Sequence, residues 1–104
     1  MSEFENIFSE VIKLPAKYEK LTSFQRRDVR ERYIEQQNGL CMHCGNSLDD
    51  EPTIETTDKP IDWSLFPKDF RKYPVHLQHD HTTGMTEGSV HAYCNAVLWQ
   101  HHGR

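Results

Sequence analysis

Apolar residues recur at Phe4, Ile7, Phe8, Val11 and Ile12, the spacing of one helical face, and predict a short amphipathic helix from about Glu3 to Leu14 that Pro15 ends. A second helix is predicted to start at Thr22 or Ser23, because Thr22-Ser23-Phe24-Gln25 has the Ser/Thr-x-x-Gln form of a capping box. Asn38-Gly39 should end it. Phe24, Val29, Tyr33 and Ile34 would then face the core, leaving Arg26, Arg27, Arg30 and Arg32 outward. Residues 46–73 are rich in Asp, Thr, Pro and Lys and read as an insertion loop. Its second half carries Trp63, Leu65, Phe66, Phe70 and Tyr73, for which core packing is the expected use and stacking on bases the alternative. Pro74 to His79 predicts a strand, Thr82 to Gly88 a turn-rich stretch, and Ser89 to His91 a return strand. A closing helix should begin around Tyr93 to Asn95 and run toward Gly103. The last four elements make a ββα unit in the order strand, loop, strand, helix.

A chain of 104 residues with 36% hydrophobic content supports one small domain with a modest core. Its net charge of −4 weighs against a phosphate-backbone partner, since that affinity comes from Lys and Arg. The distribution changes the picture. Asp49, Asp50, Glu51, Glu55, Asp58 and Asp62 stand against Lys59 alone, a local balance of −5 that leaves the rest of the chain at +1. The remaining basic residues are grouped, with Arg26, Arg27, Arg30 and Arg32 in one segment and Lys68, Arg71 and Lys72 in another. A solvated helix face with Arg27-Glu31 and Asp28-Arg32 pairs is an equally weighted reading of the arginines. No apolar run is long enough to span a membrane, and the N-terminus lacks the basic region and apolar core of a signal peptide. Three cysteines do not make a disulfide framework. A reducing cytoplasm is the expected compartment, that of a host cell if the gene belongs to a phage.

The cysteines instead suggest a metal. Cys41-Met42-His43-Cys44 and His91-Ala92-Tyr93-Cys94 are two half-sites of matching spacing, and together they supply the four ligands of a structural tetrahedral Zn²⁺. Gly39 and Gly45 frame the first pair and let the backbone turn into a knuckle. A redox Cys-x-x-Cys is the weaker reading, because no βαβ pattern accompanies it. His76 is the alternative fourth ligand should His91 be a strand histidine. Between the half-sites lie His79-Asp80-His81, with Gln78 before them and Asn95 directly after Cys94: imidazoles, a carboxylate and carboxamides, suited to a hard divalent ion and a general base. His43 is expected to face solvent, and His101, His102 and Arg104 carry no assigned role.

The pattern Asn38-Gly39-Leu40-Cys41-x-x-Cys44, His76-Leu77-Gln78-His79-Asp80-His81-x-Thr83-Gly84, Glu87-Gly88 and His91-x-x-Cys94-Asn95-Ala96 resembles the HNH (ββα-metal) endonucleases, most nearly the recombination endonuclease VII group. The resemblance covers roughly Asn38 to Trp99. It implies an α+β fold: a small zinc-stapled ββα-metal domain, residues 38–104, with insertion loop 46–73 and a helical N-terminal extension over residues 1–37. It implies metal-dependent hydrolysis of DNA phosphodiester bonds, nicking one strand per site and leaving 5′ phosphate and 3′ hydroxyl ends. His79 would be the general base, and Asn95 and Gln78 would hold a catalytic Mg²⁺ or Mn²⁺. His81 would bind metal or phosphate, or support the fold. The sequence departs from the family pattern twice. His91 stands where the group usually has Cys, a change zinc accepts, and Gln78 stands where a metal-binding Asp is expected, a weaker ligand for Mg²⁺. Asp80 could compensate, although strand alternation turns it away from His79. The chain ends nine residues after Asn95, too soon for the long dimerising helix of junction resolvases, so a monomer or weak homodimer is expected. Two rival readings are a catalytically inactive zinc-binding adaptor for DNA or protein, and a structural zinc module whose N-terminal helix binds a partner through Phe8 or Ile12.

Overall fold

The computed structural model describes residues 12–103. The helix expected from Glu3 to Leu14 lies mostly outside them, and its described end, residues 12–14, is not helical. Helix α1 spans Ser23–Gln36 with Thr22 as its N-cap. Thr22 Oγ1 accepts from the Gln25 amide at 3.2 Å while Gln25 Oε1 accepts from the Thr22 amide at 2.9 Å, so two orphan donors are satisfied reciprocally. At the other end Asn38 and Gly39 take φ of 56° and 76°, and the Gly39 amide returns to the Ile34 carbonyl at 2.9 Å. Val29 and Tyr33 are buried as expected. Phe24 is not: it is 82% exposed, because it lies about 140° around the helix from Val29, off the buried stripe.

Strands β1 (Val75–His79) and β2 (Thr86–His91) form a two-stranded antiparallel sheet that pairs Val75 with His91 and Gln78 with Gly88, with an irregularity between Gln78 and His79. The return strand starts three residues earlier than its local pattern suggested. Thr86 is recruited by a distant segment: its amide donates to Ala16 O at 2.8 Å, its Oγ1 accepts from Ala16 N at 2.9 Å, and Tyr33 Oη lies 2.9 Å from the same oxygen. Asp80, considered above as a compensating ligand, has one carboxylate oxygen engaged in the hairpin turn. Its Oδ1 accepts from the amides of Thr82 and Thr83 at 2.6 and 3.0 Å, closing the hairpin turn whose Gly84 has a φ of 76°.

In the 46–73 insertion a one-turn helix α2 (Ile54–Thr57) is followed by a 3₁₀ turn at Trp63–Leu65. Helix α3 spans Ala92–His102 and ends on Gly103 in the left-handed region. The insertion wraps α3. Its acidic half is fastened by Tyr93 Oη, which donates to the carbonyls of Thr57 and Lys59 at 3.1 and 2.7 Å, and by Gln100 Oε1, which accepts from Asp62 N at 2.9 Å. Its aromatic half packs Trp63 on Tyr93 and Phe66 on Trp99 with ring centroids 5.4 and 5.2 Å apart. Trp63, Phe66 and Phe70 are thus half-buried against one another rather than in the core, so the expected core packing is met only in part, while Leu65 and Tyr73 are exposed.

Most of the buried apolar residues fall in two clusters. One joins Ala16, Leu21, Val29, Tyr33 and Leu77; the other joins Leu48, Val90 and Leu98 with the sulfurs of Cys41 and Cys94. A bridge ties α1 to β2: Gln37 Oε1 accepts from Ser89 N, and Gln37 Nε2 donates to Ser89 O, both at 2.9 Å. The result is a small mixed α/β fold with a two-stranded sheet. No helix among the described residues is long and apolar enough to cross a membrane.

Candidate functional site

Cys41 and Cys44 sit in a tight turn whose geometry follows from its hydrogen bonds. The Cys41 amide donates to Asn46 O at 2.8 Å, the Gly45 amide returns to Cys41 O at 3.0 Å with Gly45 at φ 83°, and the amides of His43 and Cys44 point at Cys41 Sγ from 3.4 and 3.5 Å. His91 is the last residue of β2 and Cys94 lies in the first turn of α3, so the strand-to-helix junction presents both toward the knuckle. The ligand atoms of Cys41, Cys44, His91 and Cys94 all lie within 4.8 Å of one another. His91 Nδ1 is 3.5 Å from Cys44 Sγ and 3.6 Å from Cys94 Sγ. A tetrahedral centre with Zn–N of about 2.0–2.1 Å and Zn–S of about 2.3 Å requires an N to S edge of about 3.5 Å, so the spacing fits.

The surroundings agree with that reading. His91 Nε2 lies 2.9 Å from the carbonyls of Ser47 and Asp50, which only accept, so Nε2 carries the proton and Nδ1 is the ligating atom. A hydrogen bond from Cys94 draws the Cys41 thiol down to about 4, and the same shared proton pushes the Cys94 thiol up. Crowded sulfurs that share a proton are a set that a cation would hold together better. These four residues could hold a metal ion, and the donor set suits structural zinc. His76, the alternative ligand, is elsewhere. His43 is not solvent-facing as expected: it is half-buried, its ring 5.9 Å from that of His102, and burial lowers its basicity.

Beside the cluster, a cleft of about 600 Å³ brings together His76, Gln78, His79, His81 and Asn95. The His79 ring stacks on Tyr18 at 3.9 Å and 10°, and the His81 ring is 4.5 Å away. The Tyr18 ring also carries the Arg26 guanidinium at 4.0 Å. Burial holds the His79 imidazole below its ordinary value of 6.5; the charges of His81 and Arg26 add to this and Asp80 opposes it. His79 is therefore a neutral base at physiological pH. His76 is lowered as well, first by burial, and its Nδ1 lies 3.0 Å from Asn95 Nδ2.

Gln78 is 1% exposed, and its Nε2 donates to His79 O at 2.9 Å and Glu87 Oε1 at 3.3 Å. The NH₂ group of Asn95 is thus committed to His76 and that of Gln78 to His79 O and Glu87. Of the residues that the sequence pattern singles out, His79, His81, Gln78 and Asn95 share the cleft. Sequence reasoning missed Tyr18 and the contact of His76 with Asn95, and named Arg26 and Arg30 only as members of a basic group. Tyr18 reaches the site because residues 16–18 pair with the hairpin turn, where Lys17 bridges Met85 and Tyr18 N donates to Gly84 O at 2.9 Å.

No family model matches the chain, and neither a curated protein nor a solved structure matches it.

Proposed function

We propose that this protein is a metal-dependent endonuclease of the HNH (ββα-metal) kind that hydrolyses DNA phosphodiester bonds. One observation carries the reading: a histidine kept neutral by burial, His79, and a carboxamide oriented through its NH₂ group, Asn95, line one cleft that no Asp or Glu among the described residues lines. The chain has 16 acidic residues against 12 Lys and Arg, so a cleft lined by Arg26 and Arg30 and by no Asp or Glu among the described residues is a local reversal of its charge. It favours an anionic substrate. The acidic stretch is fastened to α3 through Tyr93 and Gln100, about 140–160° around the helix from Asn95, which keeps that negative charge away.

The oxygens of Asn95 and Gln78 would hold a Mg²⁺ or Mn²⁺ ion, with water and phosphate completing its shell. Two neutral oxygen ligands fit a weakly held hard cation. When bound, such an ion supplies charge stabilisation to the phosphate in the transition state. The protein's own groups do the rest. His79 takes a proton from the attacking water, Tyr18 fixes the plane of that imidazole, and Arg26 and Arg30 hold the phosphodiester. The Cys41, Cys44, His91 and Cys94 cluster locks β2 to α3 and so holds Asn95 beside β1. One site per protomer nicks one strand.

The test is relaxation of supercoiled plasmid by zinc-loaded wild type and His79→Ala over Mg²⁺, Mn²⁺ and EDTA. Nicking that needs both added metal and His79 is expected. A folded, zinc-bound protein that nicks under no metal would leave the inactive adaptor as the better account, and the carboxamide at Gln78 would be its mark.

A further inference from the structure

The cleft has two walls of different chemistry. On one side Tyr18 lies against His79 and Arg26 over Tyr18, and the lining also includes Arg30, whose charge acts on His76. Around His76 lie Phe70, at 4.6 Å from its ring, then Phe66 at 4.6 Å from Phe70, then Trp99 at 5.2 Å from Phe66. Trp99 is 42% exposed, and Leu65 and Tyr73, which also line the cleft, are 52% and 61% exposed. A DNA duplex offers phosphates to the first wall but no bare base face to the second, because its bases are stacked on each other and only their edges reach the grooves. An unpaired nucleotide offers both a phosphate and a bare π-face.

From this we infer that the cleft binds single-stranded DNA, with the backbone along Arg26 and Arg30 and a base against the ring face at Trp99 and Phe66. The inference rests on the nuclease reading and narrows its substrate to strands with unpaired nucleotides, such as bulges, flaps, frayed ends or the segments that negative supercoiling opens in a plasmid. Size supports it: about 600 Å³ lies within the range of clefts that enclose a small ligand, and aromatic platforms beside a basic track are the general means of holding single strands.

The experiment measures anisotropy of a labelled 12-nucleotide oligo-dT, alone and annealed to oligo-dA, against the zinc-loaded full chain without added divalent ion. The same preparation is assayed for plasmid nicking with Mg²⁺. At least tenfold tighter binding of the single strand is expected, with Trp99→Ala reducing it about tenfold, to the level of the duplex. Tyr73→Ala, at a more exposed position, should reduce it in the same direction should Trp99→Ala disturb packing. Equal or tighter binding of the duplex, or no effect of either variant, overturns the inference. If plasmid is still nicked in that case, the nuclease reading stands without it; if neither binding nor nicking occurs, both fall.

Discussion

The side-chain amide of Asn95 donates to Nδ1 of His76 across 3.0 Å, from the first turns of α3 to the middle of β1. The contact orients a carboxamide whose two ends differ in function. A neutral imidazole can accept there only if its proton is on Nε2. On the proposed nuclease reading, His76 would position the oxygen of Asn95.

Replacing His76 by Ala should lower nicking by about 10- to 100-fold, the usual effect of removing an outer partner of a metal ligand. The distinguishing readout is the Mg²⁺ titration. Its midpoint should rise while the pH profile set by His79 keeps its shape. An unchanged midpoint would assign His76 to packing alone.

The activity of wild type should extend to lower pH than an ordinary histidine allows. Burial holds His79 below 6.5, so its base form survives as pH falls, and the acidic limb of the nicking rate should lie below 6.5. His79→Ala should cost about 10²- to 10⁴-fold at neutral pH. A limb at or above 6.5 would mean that His79 is not the base.

Stability should depend on pH in the same region for a related reason. The folded-state values of His76 and His79 both lie below the unfolded value, so the contribution is complete above about 6.5 and is lost as pH falls through the folded values. Urea midpoints measured on the zinc-loaded protein should decline as the buffer is taken below 6.5. His76→Phe should flatten that decline.

Chelation should unfold the second core cluster. Cys41 and Cys94 are both candidate ligands and buried members of it, so removing a bound ion should expose the packing of Leu48, Val90 and Leu98 as well. Structural zinc is worth about 10–16 kcal/mol in small zinc peptides, comparable to a whole domain's stability. Loss of cooperative thermal unfolding in a strong chelator, and in Cys94→Ser, is the expected result. An apo protein with an unchanged Tm would refute a structural role for the cluster.

Gly88 should not tolerate a side chain. A Cβ there would come within 2.7 Å of Met42 Sδ and 2.8 Å of Gln37 Oε1, and Gln37 is held by the Ser89 bridge. Gly88→Ala should destabilise by about 1–3 kcal/mol, measured by urea denaturation.

Much of this was legible in the chain. The capping box at Thr22, the left-handed exit at Asn38-Gly39, the hairpin order and the Cys3His half-sites are set by residues a few positions apart, where backbone sterics and ligand spacing act directly. Phe24 departs from its pattern because composition marks it apolar while helical geometry turns it off the buried stripe. The early start of β2 at Thr86, the stacking of Tyr18 on His79, the pairing of His76 with Asn95 and the exclusion of acidic side chains from the cleft were decided only by tertiary structure. The three pairings join segments between 19 and 70 residues apart. Local pattern constrains how a segment coils and which face it buries, whereas contacts between distant segments depend on how the faces of the whole chain pack, and no periodicity in one segment records its partner.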